Sequence, residues 1–213
     1  MIGFDLKDKG RGDAQRTEGR RYEAFSEGAG RVAFGGHWSV PVDAMGWWQL
    51  KGPSILCVDA EGIVCWQSET ERTDTMVSDL AVMEDGGVLA AFFGDPREDA
   101  PPSDGGIYHA AVLARFDAEG EMLWMRDYYE EASIEQFAGL ARFGEGSAAL
   151  VTLRGSATYM LLFLDGEGEI IGKAPVSMPV DEAAGVTGYL SLMEAPDDRL
   201  LLYGNSYANH GLT

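Results

Sequence analysis

The chain writes one phrase three times. Residues 55–66 read ILCVDAEGIVCW, residues 113–124 read LARFDAEGEMLW, and residues 161–172 read LLFLDGEGEIIG. Asp59, Asp117 and Asp165 open the three turns, at spacings of 117 − 59 = 58 and 165 − 117 = 48 residues. A unit that recurs at roughly 50 residues buries its apolar faces against copies of itself, which restricts the fold to propellers and related repeat arrays. In each copy an apolar run meets an acidic, Gly-containing turn and a second apolar run follows. That pattern predicts a β-hairpin, with Asp bonding the turn backbone and Gly taking positive φ.

Another hairpin precedes each of these. FSEGAGRVAFGG (25–36), VMEDGGVLAAFFG (82–94), RFGEGSAALVTLRG (142–155) and LMEAPDDRLLLYG (192–204) are each a strand, an acidic turn and a strand closing on Gly36, Gly94, Gly155 or Gly204. The unit is therefore four strands, A-B-C-D, the content of one propeller blade. The expected fold is an all-β propeller of about four blades in one domain, 1–213, with repeats at 20–75, 76–135, 136–185 and 186–213. Strand D carries Trp66 and Trp124 in the first two repeats and Gly172 in the third. A tryptophan fixed within a repeat is expected to pack between neighbouring sheets. YYEEASIEQFAGLARF has a helical composition, but its alignment with DLAVM and YLSLM predicts a strand.

ILCVDAEGIVCW and LARFDAEGEMLW resemble bacterial β-propeller repeats of the quinoprotein-like type, and uncharacterised secreted repeats with an LDxxG…W phrase. The resemblance implies the fold over most of residues 20–206 and, for the second group, scaffolds or binding surfaces. The turn here is one residue shorter than the quinoprotein form and lacks the Thr before Gly, and no quinone-binding residue is matched, so no activity is carried over. Sialidase Asp-boxes are rejected, because Cys57, Arg115 and Phe163 occupy the positions that would need Ser or Thr.

Ring closure is the open step. After its A and B strands the fourth repeat has only NSYANHGLT. MIGFDLKDKG and GDAQRTEG, within residues 1–19, are one source of the missing C and D strands; another chain, or a larger ring, is the alternative. Cys57 and Cys65 flank one turn and are expected as free, buried thiols. They face each other if the loop holds three residues and point to opposite sides of the sheet if it holds two.

Composition narrows the partners. Lys plus Arg number 16 and Asp plus Glu 35, a formal charge of −19. Nucleic acid and anionic membrane surfaces both need cations, so neither is an expected partner. The chain has no long apolar run and its first residues have no apolar signal region, which predicts a cytoplasmic protein, or a secreted one if a leader has been removed.

In a propeller the B–C and D–A loops share one face. The two long insertions are B–C loops: 37–53, with Trp38, Trp47 and Trp48, and 95–109, rich in Asp, Pro and Gly. The D–A loops add Tyr128, Tyr129 and the acids Glu69, Glu71, Asp74, Asp127, Glu130, Glu131, Asp181 and Glu182. Trp38, Trp47, Trp48, Tyr128 and Tyr129 are thus the candidate ligand-binding residues of an aromatic, acidic face. The alternatives are that Trp47 and Trp48 pack over the end of the blades and that the acid serves solubility. No cofactor is expected; calcium is the cation such loops would suit, although no DxDxDG loop occurs. His37, His109 and His210 are scattered, and no nucleophile, phosphate-loop or zinc signature is present. Two functions remain: a non-enzymatic binding or assembly module for a protein, peptide, glycan or second copy, and a metal-dependent propeller hydrolase or lyase with its site at the central channel.

Overall fold

The computed structural model describes residues 19–41, 48–69, 71, 75–94, 111–128, 134–153, 158–176, 187–196 and 199–207. They form fourteen strands and no helix: β1 Gly19–Gly28, β2 Arg31–Pro41, β3 Trp48–Asp59, β4 Val64–Glu69, β5 Met76–Val82, β6 Val88–Phe93, β7 Val112–Phe116, β8 Met122–Asp127, β9 Ile134–Phe143, β10 Gly146–Leu153, β11 Tyr159–Leu164, β12 Ile170–Val176, β13 Thr187–Ala195 and β14 Arg199–Tyr207. Three antiparallel sheets of four strands follow in chain order, β1-β2-β3-β4, β5-β6-β7-β8 and β9-β10-β11-β12, and β13-β14 make a fourth of two strands. These are propeller blades with the meander order that the repeats predict, and the helical composition around residue 134 gives way to strand β9.

The repeated phrase folds the same way each time. The Asp59 carboxylate accepts the N–H groups of Glu61 (3.1 Å) and Ile63 (2.8 Å). Asp117 does so with Glu119 (3.0 Å) and Glu121 (2.8 Å), and Asp165 with Glu167 (3.0 Å) and Glu169 (2.8 Å). Gly62, Gly120 and Gly168 stand at φ of 80°, 88° and 79°, a region that carries no steric penalty only for glycine.

Past each turn the D strand is bulged. Cys57 pairs with Trp66 while its neighbour Val58 pairs with Val64, so Cys65 is the extra residue. Leu123 and Ile171 are the extra residues in blades 2 and 3. Two residues thus oppose one at Cys57, Arg115 and Phe163. Both thiols are free, but only Cys57 is buried; Cys65 is exposed, because the bulge lies on the outermost strand.

Successive blades interlock. Trp66 stacks on Phe116 of blade 2, with ring centroids 5.9 Å apart, and lies so close to Gly120 that a Cβ there would meet its ring at 2.7 Å. Trp124 seals Gly168 of blade 3 at the same distance, and its Nε1–H donates to the Gly166 carbonyl at 3.0 Å. The tryptophans are therefore packing residues, each closing on the C–D turn of the following blade. Gly172 takes the Trp position in blade 3, and the described part of blade 4 has no C–D turn for such a ring to cover.

The inner strands make the other half of each seam. Leu80, Leu140 and Leu192 hold one register position in β5, β9 and β13, and all are buried. Gly35 gives way to Leu80, since a Cβ on it would come within 2.6 Å of the leucine, and Gly139 gives way to the Leu192 backbone. Burial is greatest between blades 1 and 2 and between blades 2 and 3, in two apolar clusters centred on β5–β7 and β9–β11.

Candidate functional site

The A–B turns of four blades converge. Glu27, Val82, Arg142 and Glu194 are register equivalents at the ends of the inner strands, and all four line one cavity of about 530 Å³ together with Gly28, Ala29, Ala195 and Pro196. It lies on the side of the blades that carries the A–B and C–D turns. Arg142 donates to both Glu194 carboxylate oxygens, at 2.6 and 3.1 Å, which ties blade 3 to blade 4. The tight turn between β1 and β2 places Ala29 at φ 48° and Gly30 at φ 72°, so a side chain sits here in left-handed backbone.

A second cleft, of about 410 Å³, opens between blades 2 and 3 on the same side and shares Arg142. Its wall is set by Arg115, whose side chain is buried and donates to both oxygens of Asp85 at 2.5 and 2.6 Å, and to the Phe116 carbonyl. Burial pushes the Asp85 carboxyl up, but the Gly87 N–H and the Arg115 guanidinium pull it down further, so it stays below the ordinary carboxylate range. With Glu84, Glu145 and the carboxylates of the three C–D turns, this side of the protein is strongly acidic. It offers carboxylate acceptors and guanidinium donors. Among the described residues, no three His, Cys, Asp or Glu side chains stand together to hold a metal ion.

One carboxylate works inside the seam. Asp79 follows the bulge of β5 and accepts the N–H of Leu140 in blade 3 at 2.7 Å and that of Leu80 at 2.9 Å. Desolvation raises its pKa from 3.8 to about 6, against the lowering effect of those two backbone donors. The sequence singles out DLAVM only as a strand, and nothing in its pattern marks Asp79 as a bridge between blades.

The aromatic face expected from the loops is only partly described. Tyr128 is buried, not exposed: its hydroxyl donates to the Gly168 carbonyl at 2.6 Å, and its ring meets Phe137 edge-on at 5.8 Å. Trp38 is buried in β2. Neither is an exposed loop aromatic: Trp38 is part of a strand, and Tyr128 is drawn into the seam between blades 2 and 3 by its contacts with Gly168 and Phe137. Trp48 opens β3 opposite Pro41, while Trp47 and Tyr129 lie outside the described residues. Of the acids, Glu69 pairs with Arg20 (2.6 Å) and Ser54 (3.1 Å), and Glu71 and Asp127 are exposed. Asp74, Glu130, Glu131, Asp181 and Glu182 lie outside the described residues, as do His109 and His210. His37 is half-buried in β2 with Nδ1 unpartnered, and desolvation lowers its pKa against the raising effect of Glu23.

No protein-family model and no curated protein matches the chain. Among solved structures it is similar to a protein of unknown function from Bacteroides caccae, at 12% identity and a TM-score of 0.42, over 88% of this chain and 57% of that one. It is also similar to the Dos1 propeller, at 11% identity and a TM-score of 0.42, over 83% of this chain and 49% of that one. The chain spans about half the length of these structures. No helix among the described residues is long and apolar enough to cross a membrane.

Proposed function

We propose that the protein is a non-enzymatic binding or assembly module built on propeller blades. The observation that supports this reading is the pair of apolar surfaces at the two ends of the blade series. Phe25 occupies the register position of Leu80, Leu140 and Leu192, which are 2%, 4% and 3% exposed, yet it is 73% exposed. It pairs across the strands with Phe34, which in turn meets the Tyr22 ring at 6.0 Å. At the other end Met193 and Leu201 are direct cross-strand neighbours, 47% and 49% exposed, and Tyr203 beside them is 52% exposed. Contiguous apolar surface of this kind is characteristic of faces that meet a partner.

The two surfaces are the two halves of the seam that joins every other pair of blades. A protein or peptide strand, or a second copy, meets one half with the chemistry already used inside the chain. Glycan capture is the other arm of the reading, with Trp47, Trp48 and Tyr129 as its aromatic anchors. Molar mass by light scattering, with and without calcium, tests assembly. Wild type forming a defined oligomer that Phe25→Asp dissolves supports it. A monomer at every concentration, indifferent to Phe25→Asp, removes the assembly arm and leaves binding to be tested by Trp48→Ala against immobilised glycans and peptides.

A further inference from the structure

The chain has two cysteines in 213 residues, and both fall on one opposed position. At the D-strand bulge of blade 1, Cys65 and Trp66 together face Cys57. The same places hold Arg115 and Leu123 in blade 2 and Phe163 and Ile171 in blade 3, so the repeat itself does not call for thiols there. Trp66 is the strand partner of Cys57, and Cys65 is the extra residue next to it in the bulge. The two side chains already interact, and the Arg31 side chain reaches the Cys57 sulfur. Arg31 also donates to the Gly86 and Ala118 carbonyls of blade 2, so the thiols sit where blade 1 is stitched to blade 2.

We propose that Cys57 and Cys65 form a reversible thiol–disulfide site, oxidised by low-molecular-weight disulfides such as glutathione disulfide. Cys65 is exposed and takes the first step. Its thiolate attacks one sulfur of glutathione disulfide, the S–S bond breaks, and one glutathione leaves as thiolate. Cys57, buried beside it, then gives up its proton and attacks the Cys65 sulfur, which forms the protein disulfide and expels the second glutathione. Two protein thiols are oxidised and one glutathione disulfide is reduced to two thiols. Burial raises the Cys57 pKa, so the closing step quickens with pH.

The test is mass spectrometry of the intact chain during exposure to glutathione disulfide across a pH series. Wild type is expected to lose two hydrogens, to end with no free thiol and no retained glutathione, and to recover on reduction with dithiothreitol. Its closing rate should rise about tenfold per pH unit while the Cys57 thiolate is scarce. Cys57→Ser should stop with one glutathione bound, and Cys65→Ser should leave the buried thiol unreacted in the folded chain. The idea is overturned if wild type retains one glutathione at completion, or if oxidation yields only a cross-link between chains. It is overturned equally if the folded Cys65→Ser variant reacts as fast as wild type.

Discussion

Asp79→Asn is the perturbation with the clearest magnitude. The folded pKa of about 6 against 3.8 is a difference of about 2 units, or about 3 kcal/mol between the two protonation states. Because the folded value is raised, the group's contribution to stability is fully present below pH 3.8 and is lost as pH rises through 6. Above that window the ionised carboxylate stays in the seam at a fixed cost. Asparagine removes the charge but supplies one oxygen where two now accept from Leu140 and Leu80, a loss of about 1 kcal/mol. The variant should therefore be more stable than wild type by about 2 kcal/mol at pH 7 and near parity at pH 4. Urea unfolding of both proteins at steps between pH 4 and 8 reads this directly, since the other carboxylates contribute equally and cancel in the difference. A difference that is flat over the window, or that moves toward wild type as pH rises, would falsify the placement of Asp79 in a desolvated seam.

Ala29→Asn should raise the melting stability by about 0.5–1 kcal/mol, because Asn tolerates the left-handed φ that Ala29 holds at 48°; no gain in a thermal melt would mean the turn is not of that type. Asp117→Ala should lose about 1–2 kcal/mol through two freed N–H groups, measured by denaturant midpoint, with Asp117→Asn losing less. Gly120→Ala and Gly62→Ala share a positive φ, but only at Gly120 would the new Cβ strike a tryptophan, at 2.7 Å. Gly62→Ala should cost about 1 kcal/mol and Gly120→Ala at least twice that; equal losses in parallel unfolding experiments would deny the clamp.

The sequence by itself determined the unit. Three DxxG phrases and four acidic A–B turns define the four-stranded blade, since an apolar run, a turn-forming Asp and a glycine act locally and need no distant partner. The packing role of Trp66 and Trp124 was legible for the same reason, being fixed within the repeat. What happens at strand ends was not. Tyr128 and Trp38 read as loop aromatics, yet whether an aromatic faces water depends on the neighbouring blade, and Gly168 of blade 3 supplies the partner that buries Tyr128. The meeting of Glu27, Val82, Arg142 and Glu194 at one cavity, and the exposure of Phe25 where its equivalents are buried, also rest on how the blades pack on one another. Cys57 and Cys65 mark the boundary. Their closeness in the chain was visible, but a single bulged residue decided that they face each other, because one residue of register moves a side chain to the other side of the sheet.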